Sequence, residues 1–296
     1  MMLNRSSCYH RLIRPIVSSS FGVQDAIHGR LSGMLKKRYP NTNTNTNTSP
    51  PDIQDDETEA PFSLISPYLS TSSWSRWRNL LPERKLLGSG MMLIKNCVNL
   101  MGQVEIVNMC QKWGVDHGGF YQPSGAKVPL HMMCFGRNWD PVTRYDNPYR
   151  SDGSEPPPIP DDLFLFAQSV VKDASSRAED LPLMCPDVCV VNFYSKSGLL
   201  GLGLHQDCDE SSDSLERGLP VVTIAIGDSV EFLFRHIDEN KLHEILLESG
   251  DVLVFGGEDR HIFHVIERVI PSSCPTQLGN ATRLASGHLN LSLRQF

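Results

Sequence analysis

From Pro186 onward the chain breaks into short segments rich in Val, Ile, Leu and Phe, each closed by turn residues. They read VCVVNFY, LGLHQD, VVTIAIG, VEFLFR, HEILLES, DVLVFGG, IFHVIER and HLNLSLR. Eight such segments with no helical stretch between them restrict this half to antiparallel pairing, because parallel neighbours need a long crossover, usually a helix. The expected fold is therefore mainly β, an antiparallel sandwich or barrel, with helices flanking it upstream.

Upstream, MMLIKNCV (Met91 to Val98) reads as a strand, and Asn99 as the cap of a helix from about Gly102 to Trp113. Val104, Val107 and Cys110 recur there at helical spacing, and Gly114 ends the run. Pro160-Asp161 opens a second helix, whose apolar face is Leu163, Phe164, Phe166, Ala167, Val170 and Val171. Between them, residues 118–160 are rich in Gly, Pro and aromatics and read as irregular loops with short strands.

The N-terminal part has a different composition. Residues 1–40 carry seven basic side chains against the single acid Asp25, a charge of +6. This Arg-rich, acid-poor pattern reads equally as an organellar transit peptide or as a disordered basic tail. The first reading puts the protein in a chloroplast or mitochondrion, the second in cytoplasm or nucleus. Residues 41–80 contain the repeat NTNTNTNTSPP, which cannot bury a core, and read as a linker, with Trp74 and Trp77 as candidates for docking onto the domain. The folded domain is then expected over 81–296, with its catalytic core at about 186–296.

The chain's formal charge of −7 leaves −13 on residues 41–296. An acidic body argues against strong non-specific binding to nucleic acid but leaves a local basic groove open. No apolar run approaches the roughly 18 residues of a membrane span, so no membrane partner is expected. The eight cysteines include no C-x-x-C pair, a spacing that suits reduced thiols.

Three features carry chemistry. His205-Gln206-Asp207 would send an imidazole and a carboxylate to the same side of an extended segment, since side chains alternate along a strand. His264 lies in GDVLVFGGEDRHIFHVI, on an apolar stretch after two turns, with His261 as a competitor and Arg260 reading as solvent-directed. Arg294 sits in the apolar strand HLNLSLRQF, where a guanidinium needs an anionic partner to offset its desolvation. Two imidazoles and one carboxylate form the facial set that leaves open positions on Fe(II). A 2-oxo dicarboxylic acid would use such positions and would need fixed cationic donors.

On these residues the segment 187–296 resembles the catalytic core of the AlkB-type Fe(II)/2-oxoglutarate-dependent dioxygenases. NFYSKSGLLGLGLHQDCDE is similar to the family's N-x-Y…H-x-D-x-D/E signature, GDVLVFGGEDRHIFH to its G-D-x-x-x-x-G-x-x-R-x-x-x-H element, and NLSLRQ to its N-x-T-x-R-Q ending. A weaker similarity extends through GGFYQPSGAKVPLHMMCFG to Trp139-Asp140-Pro141, where the family places nucleotide-recognition loops. The resemblance implies a double-stranded β-helix (jelly roll), with iron held by His205, Asp207 and His264. It implies 2-oxoglutarate contacts from Asn192, Tyr194, His288, Asn290 and Arg294, and substrate contacts from Asp209, Phe135 and Trp139. The resemblance departs at His288, where the family has the arginine that grips the distal carboxylate; a neighbouring carboxylate would raise the histidine's pKa. The implied activity is oxidative demethylation of N-methylated bases in DNA or RNA with Fe(II), 2-oxoglutarate and O2, on a single strand or a flipped base, by a monomer. Hydroxylation of a protein or small molecule, or a binding module with a degenerate site, are the alternatives.

Overall fold

The computed structural model describes residues 73–115, 118–123, 128–150, 152–195, 198–284 and 286–296. The basic segment and the NT repeat lie outside them. After a 3-10 turn at Ser73–Arg76 come β1 (Glu83–Leu86), β2 (Met91–Lys95), helix α1 (Leu100–Gly114), β3 (Leu130–Gly136) and helix α2 (Asp161–Ser175). The C-terminal half holds β4 (Val188–Tyr194), β5 (Gly198–Leu199), α3 (Ser212–Glu216), β6 (Val221–Gly227), β7 (Val230–Arg235), β8 (His243–Leu247) and β9 (Val252–Phe255). It ends with a 3-10 turn (Gly257–His261), β10 (Phe263–Val269), α4 (Thr276–Thr282) and β11 (His288–Arg294).

The strands form two antiparallel sheets, a large one in the order β1-β2-β9-β6-β11-β4-β3 and a small one in the order β5-β10-β7-β8. This mostly β, two-sheet arrangement is the jelly roll the sequence pointed to. Strand β6, VVTIAIG, is buried along its whole length because both faces of the large sheet are covered. Val222, Ile224 and Ile226 turn outward to Ile106 and Val107 of α1 and Leu163, Phe166 and Val170 of α2 in one core cluster. Val221 and Ala225 turn inward, into a second cluster with Val230, Phe232 and Phe234 of the small sheet. The period of two thus divides one apolar run between two cores. On β7 the alternation is visible, with Val230, Phe232 and Phe234 buried and Glu231, Leu233 and Arg235 only partly so.

Helix α1 begins where its cap predicts, the Asn99 side chain accepting from the Gly102 N–H at 3.0 Å. Three expectations need correction. Helical turns interrupt the C-terminal strands at α3, α4 and Gly257–His261; each is seven residues or fewer, too short to show a period. The LGLHQD segment forms no regular strand and pairs only at an isolated bridge through His205. The domain boundary at 81 also moves back, because Trp77, one of the two docking candidates, does pack onto the domain, buried with its ring 5.8 Å from that of Phe166. Among the described residues no helix is long and apolar enough to cross a membrane.

Candidate metal centre

Two passes of the chain bring the ligand-type side chains together. The backbone of His205 pairs with that of His264 on β10, with N–H to O=C distances of 3.1 and 2.9 Å in the two directions. Such a bridge sets two side chains next to each other, and the imidazole centroids stand 4.6 Å apart. Asp207, two residues on, returns to the same side. One ligand atom from each of the three lies within 4.8 Å of the others. Among the described residues no other trio of His, Cys, Asp or Glu converges in this way, and His261 stays outside the cluster.

The donors are in the forms a metal needs. His264 Nδ1 faces the Ile262 carbonyl and His205 Nδ1 the Gly203 carbonyl, each at 3.4 Å. A carbonyl only accepts, so in the neutral ring Nδ1 carries the proton and Nε2 is left with the lone pair a metal uses. Burial pushes the His264 imidazole down to about 4, against the raising pull of Asp207. Burial alone would push the Asp207 carboxyl up. The Arg294 guanidinium, aided by His264, His205 and Arg260, overrides it and holds that carboxyl well below the usual carboxylate range. Two imidazoles and an ionised carboxylate on one side of a point fit Fe(II) and leave its other positions open.

A buried ion network stands behind the ligands. Arg294 Nη2 lies 2.9 Å from Asp207 Oδ2, and its Nη1 lies 3.2 Å from Glu210 Oε1. The second oxygen of Glu210 takes Arg260 Nη2 at 2.7 Å. Arg260 also donates to the main-chain carbonyls of Leu219, at 2.8 Å, and Asp207. Its solvent-directed reading is thereby corrected: the 3-10 turn folds it inward, and it is among the largest fully buried side chains of the described residues. The desolvation argument that singled out Arg294 applies equally to this arginine, and it would have pointed to Glu210 as the shared anion.

The inner face of β11 carries His288, Asn290, Ser292 and Arg294. Asn290 stands opposite Asn192 on β4, and His288 opposite Tyr194. On this one surface Asn192 Oδ1, Asn290 Oδ1, His288 Nε2 and Arg294 Nε are all buried without a protein partner. A buried polar atom left unpaired costs about 1–3 kcal/mol. Four on adjacent strands therefore mark a pocket shaped for a polar ligand, and the guanidinium suits a carboxylate. The carboxylate expected to raise His288 does not reach its ring nitrogens. Asp228 uses its side chain to accept the N–H groups of Ser273, Cys274 and Gly287 at 3.0, 2.8 and 2.7 Å. Only its main-chain carbonyl meets His288, accepting from Nδ1 at 2.7 Å.

Two of the three residues expected to contact substrate come together. Trp139 Nε1 donates to Asp209 Oδ2 at 3.0 Å, and Arg144 pairs with the same carboxylate at 3.5 Å while lying 5.7 Å from the Trp139 ring centroid. Tyr145 donates to Glu210 at 3.1 Å, so Trp139, Arg144 and Tyr145 all tie the loop after β3 to the segment 205–210. Phe135 is the exception. It is fully buried in the outer core, in the cluster containing Leu163 and Phe166, and cannot stack on a base. Strand alternation sends Met132 and Cys134 to the Trp139 side and Met133 and Phe135 away from it.

Comparison with known proteins agrees with this geometry. A family model described as the 2OG-Fe(II) oxygenase superfamily matches residues 90–294. The chain is 46% identical over 222 residues to the Arabidopsis thaliana DNA N(6)-methyladenine demethylase ALKBH1C, covering 70% of this chain and 48% of that one. It is 28% identical over 173 residues to the tRNA demethylase abh1 of Schizosaccharomyces pombe, covering 56% and 52% of the two chains. The solved structure of OsALKBH1 superposes with a TM-score of 0.68 at 41% identity, over 72% of this chain and 100% of that one. The chain spans about half the length of the curated relatives it matches.

Proposed function

The chain belongs to the 2OG-Fe(II) oxygenase superfamily, and from that premise we propose that it oxidises N-methyl groups on nucleobases of DNA or RNA. The observation that carries the reading is the convergence of His205, Asp207 and His264 beside a pocket of unpaired polar atoms. Similarity to demethylases of both DNA and tRNA supports a nucleic-acid substrate and leaves its kind open.

Fe(II) held by the three ligands supplies the activation of O2, coupled to conversion of 2-oxoglutarate to succinate and CO2. The chain's own part is binding, orientation and exclusion of water. Arg294, its terminal nitrogens held by Asp207 and Glu210, presents its unpartnered Nε and its positive charge to one carboxylate, and Asn192, Asn290 and Tyr194 line the same wall. Glu210 and Arg260 fix the angle of Arg294, so the cosubstrate meets a preset geometry. Trp139 supplies an aromatic face, with Asp209 to accept from an exocyclic amine, for a base presented single-stranded or flipped from a duplex. Hydroxylation of the methyl group gives an N-hydroxymethyl product, which releases formaldehyde.

The test is succinate and formaldehyde release over a panel of methylated DNA and RNA oligonucleotides, run beside a His205→Ala variant. Turnover that depends on a methylated oligonucleotide and on His205 is expected. Succinate formed with peptides but with no oligonucleotide would transfer the site to protein hydroxylation.

A further inference from the structure

We propose that the pocket takes its dicarboxylate cosubstrate together with one proton, captured on His288 Nε2; this inference rests on the function proposed above. The argument begins with the tautomer. His288 Nδ1 lies 2.7 Å from the Asp228 main-chain carbonyl, which can only accept. The ring's one obligatory proton is therefore on Nδ1, and the neutral ring presents a bare lone pair at Nε2. That nitrogen is buried and has no protein partner.

A carboxylate is also acceptor-only. In the family pattern an arginine, a permanent donor, occupies this position; here an anion would meet a lone pair unless the ring gains a second proton. The surroundings leave the ring neutral before binding. Burial pushes His288 down to about 4, outweighing the raising effect of Asp228. From β4 it is faced by Tyr194, with ring centroids 6.3 Å apart, and burial pushes that phenol up, keeping it neutral. Its partner on β6 is Gly227, which brings no ionisable group. The Asp228 carboxylate is already engaged by three backbone N–H groups. Arg294 shares the strand face but is directed to Asp207 and Glu210. The small sheet opposite is apolar along Val230, Phe232 and Phe234, with His264 at the metal centre.

Nothing nearby thus charges the ring in advance, and an incoming carboxylate is what stabilises the imidazolium. The proton comes from solvent and leaves with the cosubstrate. Both carboxyl groups of 2-oxoglutarate are ionised at neutral pH, so any proton taken up belongs to the protein.

The test is titration calorimetry of 2-oxoglutarate into protein saturated with Mn(II), which reports binding without turnover. Titrations run from pH 6.5 to 8.5, in pairs of buffers differing in ionisation enthalpy. Wild-type affinity should weaken by about tenfold per pH unit, with uptake of about one proton per cosubstrate at pH 8. His288→Arg should flatten the pH dependence and remove the uptake while sharing the same metal ligands. If that variant fails to fold, the buffer-pair measurement on wild type still decides. Binding that is independent of pH, with no proton taken up, overturns the inference and leaves the functional reading standing. Absence of 2-oxoglutarate binding at every pH, with metal bound, overturns both.

Discussion

Arg260 and Arg294 share the carboxylate of Glu210, and none of the three reaches solvent appreciably. Such a network adds little net stability relative to apolar residues, yet removing one member leaves an uncompensated buried charge. Arg260→Ala should therefore destabilise the protein by about 3–5 kcal/mol, read from urea unfolding, and a loss under 1 kcal/mol would contradict the network. The buried histidines impose a pH dependence of their own. His264 and His288 fall to about 4 on folding from an ordinary value near 6.5. Between those values the unfolded chain binds protons that the folded chain refuses, so the metal-free protein should lose stability as pH falls from 6.5 towards 4. Each group contributes at most about 1.4 kcal/mol per pH unit in that window. A His288→Gln variant should show a shallower fall in melting temperature over the same range; an unchanged slope would mean the ring is charged in the fold.

At the scale of elements, the site depends on segments that are not regular strands. The stretch 201–207 lies against β10 through one bridge, and the turn Gly257–His261 carries Arg260 under it. Gly257 makes this turn possible: its φ of 56° lies in the left-handed region, and a Cβ there would run into the Asp180 carbonyl. The loop after β3 closes the other side through Trp139 and Tyr145. Trp139→Ala removes the aromatic face without touching a metal ligand. It should weaken binding of a methylated oligonucleotide by about 1–3 kcal/mol while Mn(II) affinity stays within twofold, both measurable by titration. Equal losses of metal and oligonucleotide would make the tryptophan a support of the fold alone.

For the whole molecule, a metal held by the trio would join the two sides of the site, since His205 and Asp207 come from the irregular crossing and His264 from the small sheet. A ligand bound only by the folded state stabilises it by mass action, about 2.7 kcal/mol at a hundredfold excess over Kd. Divalent metal should therefore raise the thermal midpoint of wild type, a chelator should reverse the rise, and His264→Ala should show neither. A midpoint insensitive to metal would mean the trio does not act as one centre.

The order of motifs, the period-two runs and the Asn99 cap were legible because each depends on neighbours in sequence. Alternation alone placed His205 with Asp207, whereas Asn290 was reached only through the family resemblance. Tertiary structure decided what depends on distant partners: that Arg260 turns inward to Glu210, that Phe135 belongs to the outer core, and that Trp77 is part of the fold. It also decided which nitrogen of His288 is bare, because a ring's tautomer follows from the atom facing it, and here that atom is a main-chain carbonyl sixty residues away. A one-dimensional pattern records which side a residue takes, while burial and pairing are set only when separate strands close over one another.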